Sequence, residues 1–468
     1  MATKKIVIVG GGITGLSAAY NLQKQISEND LPFEVKLVEA SSHLGGKIKS
    51  IKRDGFTIEL GPDSLLARKP AAVKLVEELG LSDQTVRNGT GQSYILVKNK
   101  LHKMPKGTFM GVPKEIRPLL ASNVFSSKGK LRALMDLVLP KSKVEGDQSL
   151  GMFMRRRFGN DLVDNQIDPL LSGIHSGDID KMSLKAIYPM FHQVEQKHGS
   201  LIKGLQRTLP KASKHSKGKQ AESLFFSFED GMETLVKGLI EKLDDKIISI
   251  NTAVDHIEKK EHGYHLLLSD GKVYKADAVI MAAPHTAVPG MLSQYDFLKK
   301  LYEIPATSTA NVVVAFDQAA IKKDIDGTGF LVSRSSNYRI TACTWTHRKW
   351  PTTTPEGKAL FRCYVGRPDD QEIVDLSDEE ITDIVLKDMN KTMKIKAKPE
   401  FSIITRFKDA RPQYHVGHLE LVSQVRTNVS KELPGLILTG SSYDGVGIPD
   451  CIEHGERSAT EVVQFLNG

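Results

Sequence analysis

Ile6-Val7-Ile8-Val9-Gly10-Gly11-Gly12-Ile13-Thr14-Gly15 is an apolar run that ends in a glycine-rich turn. The amphipathic segment Leu16 to Ile26 follows it, and a second apolar run, Val35-Lys36-Leu37-Val38, ends in Glu39. Strand, turn, helix, strand and terminal acid, in that order, make a unit that binds a dinucleotide. Gly10 permits the tight turn, Gly12 lets the backbone approach a pyrophosphate, and Gly15 lets the helix pack close to the strand. N–H groups at the helix start, Ile13 and Thr14 among them, face the phosphates, where the helix dipole favours negative charge. Glu39 is placed to accept hydrogen bonds from a ribose.

The residues that follow select the dinucleotide. A second glycine pair stands in His43-Leu44-Gly45-Gly46-Lys47, just after Glu39-Ala40, and offers another close backbone approach. Phe56 to Leu60 reads as a strand running into the turn Gly61-Pro62-Asp63-Ser64. This order resembles the FAD-binding amine oxidase and protoporphyrinogen oxidase superfamily, in which an acid, a Gly-Gly-Lys/Arg element and a Gly-Pro turn wrap one flavin. Near the other end, Gly435 to Gly440 reads as a buried strand. Gly445-Val446-Gly447-Ile448-Pro449-Asp450 then leads into a helix from Cys451 to Leu466. The resemblance implies that this helix start points at the flavin ring and stabilises the charge that develops there on reduction. The implied fold is α/β: a discontinuous Rossmann-like FAD-binding domain, a mixed-sheet substrate domain and a helical insertion.

A chain of 468 residues exceeds one core, and two or three domains are expected. The expected division is 1–66, 222–292 and 405–468 for the FAD domain. Residues 67–100, 200–221 and 293–404 form the substrate domain, and 101–199 the helical one. Leu66 to Leu79 has helical spacing, Tyr94 to Val97 is a short strand, and Met104 to Met190 reads as mostly helical. Val254 to Lys259, Tyr264 to Leu268 and Val273 to Tyr274 form a strand series with a turn at Ser269-Asp270-Gly271-Lys272. Val312 to Phe316, Gly329 to Ser333, Ile340 to Thr346, Ala359 to Val365 and Phe401 to Phe407 make a second sheet, with a helix from Ser377 to Met393 packed on it.

No apolar run approaches the roughly 18 residues that span a bilayer, and the first strand begins too early to leave room for a signal peptide. Three widely spaced cysteines form neither a disulfide framework nor a zinc pattern, so a reduced cytoplasmic protein is expected. The net charge of +8 comes without a nucleic-acid recognition motif, and no nucleic-acid partner is expected. The basic clusters Lys98 to Arg117, Arg155-Arg156-Arg157 and Lys203 to Lys219 read as solvated faces, and Lys203 to Gln220 as a disordered segment. Membrane contact is peripheral at most. His415 and His418 lack further ligands, so no metal site is expected.

Asp168-Pro169-Leu170-Leu171-Ser172-Gly173-Ile174, Ala342-Cys343-Thr344-Trp345-Thr346 and Pro412-Gln413-Tyr414-His415-Val416-Gly417-His418 narrow the resemblance. Over its whole length the chain is similar to the coproporphyrin-forming coproporphyrinogen oxidases, the soluble bacterial relatives of protoporphyrinogen oxidase. That resemblance implies FAD as cofactor and oxygen-dependent, six-electron oxidation of coproporphyrinogen III to coproporphyrin III, with hydrogen peroxide released, in haem biosynthesis. It also implies that the flavin carries the chemistry, so no catalytic side chain is assigned. Beyond the residues quoted above, it adds Val254 and Phe407 to the cofactor site, and Lys69, Ile174 and Tyr364 to the substrate cavity. Transient contact with a coproporphyrin ferrochelatase belongs to the same expectation. Protoporphyrinogen IX oxidation, flavin amine oxidation and a non-catalytic porphyrin carrier remain the alternatives.

Overall fold

A computed structural model describes residues 3–209, 225–323 and 325–468 of the chain. Its first sheet is parallel throughout, in the order Ile248–Ser249, Phe33–Val38, Lys4–Val9, Ala278–Met281, Leu436–Leu438. Side chains alternate across a strand, so a sheet covered on both faces needs apolar residues at every position. Ile6 and Ile8 point into one core with Leu37 and Ile280, while Val7 and Val9 point into another with Val279 and Met281. The helix Ile13–Asn29 leaves the first strand, and the helix Ile448–Asn467 lies against it. A Cβ at Gly455 would sit 2.4 Å from the Thr14 carbonyl oxygen, so only glycine permits this approach of the two ends of the chain.

The second sheet has seven strands in the order Phe401–Pro412, Ala306–Asp317, Lys358–Val365, Ala342–Trp345, Gly329–Val332, Tyr94–Val97, Lys100–Lys103. It is antiparallel except where Gly329–Val332 meets Tyr94–Val97. The strand Tyr94–Val97 serves two cores. Tyr94 and Leu96 pack under this sheet, and Ile95 and Val97 pack into the helical unit that runs from Ile116–Ala121 to Leu201–Thr208. The expected helix on the sheet is present as Asp378–Met393. Ser377 caps it and Glu380 reaches back to the Ser377 N–H.

Packing departs from the expected domain boundaries in three places. Ala72, Leu75 and Val76 of the helix Pro70–Glu78 are buried with the nucleotide core rather than with the substrate sheet. Leu201, Ile202 and Leu205 belong to the helical core. Residues 405–412 complete the long strand Phe401–Pro412 at the edge of the seven-stranded sheet. Burial in each place follows contacts from segments distant in sequence.

Three local expectations also change. The stretch read as helical contains a small antiparallel pair, Thr108–Phe109 with Val112–Pro113. The basic stretch begins in the helix Leu201–Thr208, and residues 210–220 of it lie outside the described residues. Arg155-Arg156-Arg157 is not a solvated face. Arg157 is fully buried, 2.6 Å from Asp136 and 3.2 Å from Glu195; Arg156 meets Glu195 at 2.8 Å; and Arg155 meets Asp164 and Asp180. Their acidic partners come from other segments, which a local charge count does not reveal. No helix among the described residues is long and apolar enough to cross a membrane.

Candidate functional site

The glycines of the first turn divide by what surrounds them. Gly10 has φ +108°, and a Cβ there would lie 3.0 Å from the Ala282 backbone. A Cβ on Gly15 would come within 1.9 Å of the Gly10 carbonyl oxygen, so this glycine sets the approach of helix to strand. A Cβ on Gly12 would meet nothing within 4 Å. Gly12 caps the first helix and offers its N–H groups no side-chain acceptor. Open space at a helix start with free donors suits a phosphate.

The second glycine pair closes over the first turn. The Gly45 N–H donates to the Gly11 carbonyl at 2.8 Å, and a Cβ on Gly46 would stand 3.2 Å from the Gly12 Cα. A Cβ on Gly61 would overlap the Lys47 carbonyl oxygen, so the Gly61-Pro62-Asp63-Ser64 turn stacks directly on that segment. The three motifs read from the sequence thus form one cradle, built from backbone approaches that any larger residue would fill. A flat, extended dinucleotide fits such a surface, and the donors that face it fit a pyrophosphate.

Glu39 Oε2 accepts the Gly11 N–H at 2.7 Å, while Oε1 accepts the Ser41 N–H at 2.8 Å and hydroxyl at 2.7 Å. The carboxylate expected at the ribose therefore also fixes the glycine turn. Ala40 beside it is exposed. Backbone bonds from Glu39 N–H to Ser249 and from Thr252 N–H to Glu39 bring the segment leading to Val254 alongside; Val254 itself is buried against Val38. The Asp63 carboxylate is engaged by Lys349 at 2.9 Å, Trp350 at 3.3 Å and Arg362 at 3.2 Å. Burial alone would raise this carboxyl, but Lys349 and Arg362 hold it well below the usual range. Arg362 also donates to the Gly61 carbonyl, so a residue of the second sheet positions the turn of the first unit.

At the far end, Val446, Gly447 and Ile448 are half-buried at the start of Ile448–Asn467. The helix begins at Ile448, three residues earlier than its expected start at Cys451, because Pro449 fits its first turn. Asp450 accepts the Gly447 N–H at 3.3 Å and the Lys69 ammonium at 2.7 Å. Lys69 is thus already paired. Ile174, in the helix Asp168–His175, is exposed. Tyr364 is half-buried with its ring 5.5 Å from the Arg362 guanidinium carbon. Phe407 is half-buried on the long edge strand.

Sequence reasoning missed three members of this region, His175, Tyr188 and Arg411. His175 bonds Tyr188 at 3.1 Å, and burial, with Arg411 adding repulsion, lowers its imidazole to about 4, so it is neutral. Burial, again with Arg411, lowers the Lys47 ammonium to about 8, and Lys47 donates to the Ala410 carbonyl. Arg411 therefore acts on Lys47, His175 and Tyr364 together, and Asp450 acts on His175 and Tyr188. These side chains converge where the two sheets meet the helical unit. His175 directly follows the Asp168 to Ile174 segment and Arg411 directly precedes Pro412, but neither belongs to a motif. His415 and His418 stay apart from this chemistry. His418 stacks on Tyr414 with ring centroids 4.0 Å apart and bonds the Tyr443 carbonyl at 2.8 Å. Among the described residues no group of three His, Cys, Asp or Glu could hold a metal.

A fold of this kind with a three-part glycine cradle defines a flavin-binding oxidoreductase, and residues 13–463 match the family described as flavin containing amine oxidoreductase. The chain belongs to that family. It is 47% identical over 463 residues to a coproporphyrinogen III oxidase of Bacillus subtilis, covering 99% of this chain and 98% of the relative. It is 41% identical to a coproporphyrinogen III oxidase of Staphylococcus aureus, over 99% of this chain and 100% of that one. Among solved structures, a protein of Exiguobacterium sp. 255-15 named provisionally as a protoporphyrinogen oxidase superposes with a TM-score of 0.88, at 37% identity and full coverage of both chains.

Proposed function

We propose that the protein is an FAD-dependent coproporphyrinogen III oxidase of haem biosynthesis. The observation that carries this reading is the 47% identity, over nearly the whole of both chains, to a relative of that name. In this reading coproporphyrinogen III loses six hydrogens in three two-electron steps to give coproporphyrin III, and three molecules of oxygen become three of hydrogen peroxide. FAD, when bound, supplies the two-electron acceptor.

The chain's own residues hold, orient and exclude water. Gly10 to Gly15 and Gly46-Lys47 would hold the pyrophosphate, Glu39 and Ala40 the adenosine ribose, and Gly61 to Ser64 the ring end together with Val446, Gly447 and Ile448. Val254 and Phe407 complete that set by resemblance. Lys69, Ile174 and Tyr364 are proposed at the substrate. Ile174 suits a flat apolar ring, because an isoleucine with 42% of its surface exposed has apolar area to cover. Lys69 would share its ammonium between Asp450 and a carboxylate. The neutral His175 and Tyr364 add no negative charge of their own beside Arg411, which suits a polyanionic substrate.

Cys343 and Cys363 face each other in register on adjacent strands as free thiols, which fits the reducing cytoplasm. Oxygen as acceptor, and a ferrochelatase as transient recipient of the product, belong to the same proposal. The test is to supply coproporphyrinogen III and protoporphyrinogen IX separately to the FAD-loaded protein and follow porphyrin fluorescence and peroxide. Coproporphyrinogen III should be oxidised faster at sub-saturating concentration. Faster oxidation of protoporphyrinogen IX would select the alternative that the Exiguobacterium protein's name suggests.

A further inference from the structure

We propose that Arg411 anchors one carboxylate of the substrate and so determines specificity for a carboxylate-rich tetrapyrrole; this rests on the reading above. Arg411 lies at the end of the long strand Phe401–Pro412, opposite Thr307. The Gln413 side-chain amide donates to the carbonyls of both Arg411 and His175 at 3.0 Å, which ties this strand end to the helix that carries Ile174. On the other side, the Lys47 ammonium donates to the Ala410 carbonyl. The residue therefore stands between the glycine cradle and the proposed substrate wall.

The other cations of this region are accounted for. Lys69 holds Asp450, Lys349 and Arg362 hold Asp63, Lys47 holds a carbonyl, and Arg68 lies 5.1 Å from the Phe109 ring centroid. The Arg411 guanidinium has neither a hydrogen bond nor an ion pair with the described residues, although it is recessed from solvent. Its charged neighbour is another cation, Lys47. Elsewhere in the fold recessed arginines have partners: the buried Arg157 has two carboxylates, and the half-buried Arg406 has two carbonyls and Asp378. A recessed guanidinium facing a like charge is unfavourable unless an anion joins it. Its planar fork of N–H donors matches a carboxylate in two parallel hydrogen bonds.

The cofactor's phosphates are not the anion in question. Their donors are at Gly12 and the first helix start, whereas Arg411 acts on Tyr364 and His175, beside Ile174. A substrate whose ring lies against Ile174 would bring its rim carboxylates to the edge of the same space. The strand fixes the Arg411 backbone, so the guanidinium selects for position as well as for charge.

The experiment uses the FAD-loaded protein with coproporphyrin III, the stable oxidised tetracarboxylate, and its tetramethyl ester as probes. Binding is read by fluorescence titration for wild type, Arg411→Met and Arg411→Lys. Arg411→Met should weaken binding of the acid roughly ten-fold, the low end for one charge-assisted pair. It should leave the ester unchanged. Arg411→Lys should recover part of the loss. In turnover, KM should rise with kcat little altered, and FAD content and visible spectrum should stay as in wild type. Equal losses for acid and ester, or no loss for either, would overturn the proposal. A changed flavin spectrum with unchanged acid binding would assign Arg411 to the cofactor instead and overturn it too. If wild type neither binds the acid nor oxidises the porphyrinogen, the functional reading itself fails, which is a different result. Should Arg411→Met not fold, the acid-to-ester ratio of Arg411→Lys decides, since an unaltered ratio and an unaltered affinity would refute an anchoring fork.

Discussion

Glu59 is a carboxyl with 5% of its surface exposed and two donors close by, the Met232 N–H and the Ser50 hydroxyl, both at 2.7 Å. Burial raises its carboxyl to about 7 against the opposing pull of those donors. The folded chain thus holds a proton that the unfolded chain releases between the ordinary 4.5 and about 7. The stability linked to that proton is fully present below 4.5 and is lost as pH rises through 7. Glu59→Gln is neutral throughout, and its amide can meet both donors, since the Ser50 hydroxyl can also accept. It should match wild type near pH 4.5 and be more stable at pH 8, by about 1–3 kcal/mol. Urea unfolding at the two pH values measures this. A glutamine variant less stable at pH 8 would mean that Arg362 and the two donors keep Glu59 ionised. Asp63 is the contrasting case. It is nearly as enclosed, but three cationic or N–H donors converge on it, and its charge persists.

At the scale of elements, the first turn separates folding from binding. Gly15→Ala drives a methyl into the Gly10 carbonyl and should lower the melting temperature of the cofactor-free protein. Gly12→Ala meets no protein atom within 4 Å, and Gly12 has φ −69°, so it should fold as wild type yet lose FAD affinity at least ten-fold. Calorimetry of the cofactor-free variants and flavin fluorescence titration check the pair. If Gly12→Ala retains full FAD affinity, the phosphates bind elsewhere. This unit was legible in the sequence because its strands carry short, nearly continuous apolar runs and its glycines fall at fixed offsets. Six strands of the second sheet were legible, all but Lys100–Lys103, but their order was not. Nothing in Tyr94–Val97 tells that it pairs in parallel with Gly329–Val332, more than two hundred residues away. The pair Thr108–Phe109 and Val112–Pro113 is too short to show a period. Arg157 looked solvated because its partners Asp136 and Glu195 come from other helices. Of the candidate site, the backbone cradle was readable since glycine spacing encodes it. Arg411 was not, because a lone arginine before a proline has no pattern until the fold places it beside Lys47, His175 and Tyr364.

At the scale of the molecule, the proposed cofactor site joins segments that are far apart in sequence. Residues 10–15, 39–47 and 61–64 come from one end and 446–450 from the other, and the C-terminal helix docks on the first helix through Gly455. The second sheet takes part as well, since Lys349 and Arg362 hold Asp63, and Arg362 holds the Gly61 carbonyl. A ligand bound across this junction stabilises whatever builds the site. At one hundred times its dissociation constant, FAD should add about 2.7 kcal/mol to unfolding. For a molecule of this size that is an increase of about 3 °C in melting temperature. The two-sheet construction makes a sharper demand. Amide exchange should slow on FAD binding not only in Lys4–Val9 and Ile448–Asn467 but also in Lys358–Val365, which is tied to the turn by Arg362. The effect in that strand should disappear in Arg362→Met, while FAD still slows exchange in Lys4–Val9. Slowing confined to the parallel sheet in wild type would mean that Arg362 braces a turn the cofactor does not load, and that the two sheets unfold independently.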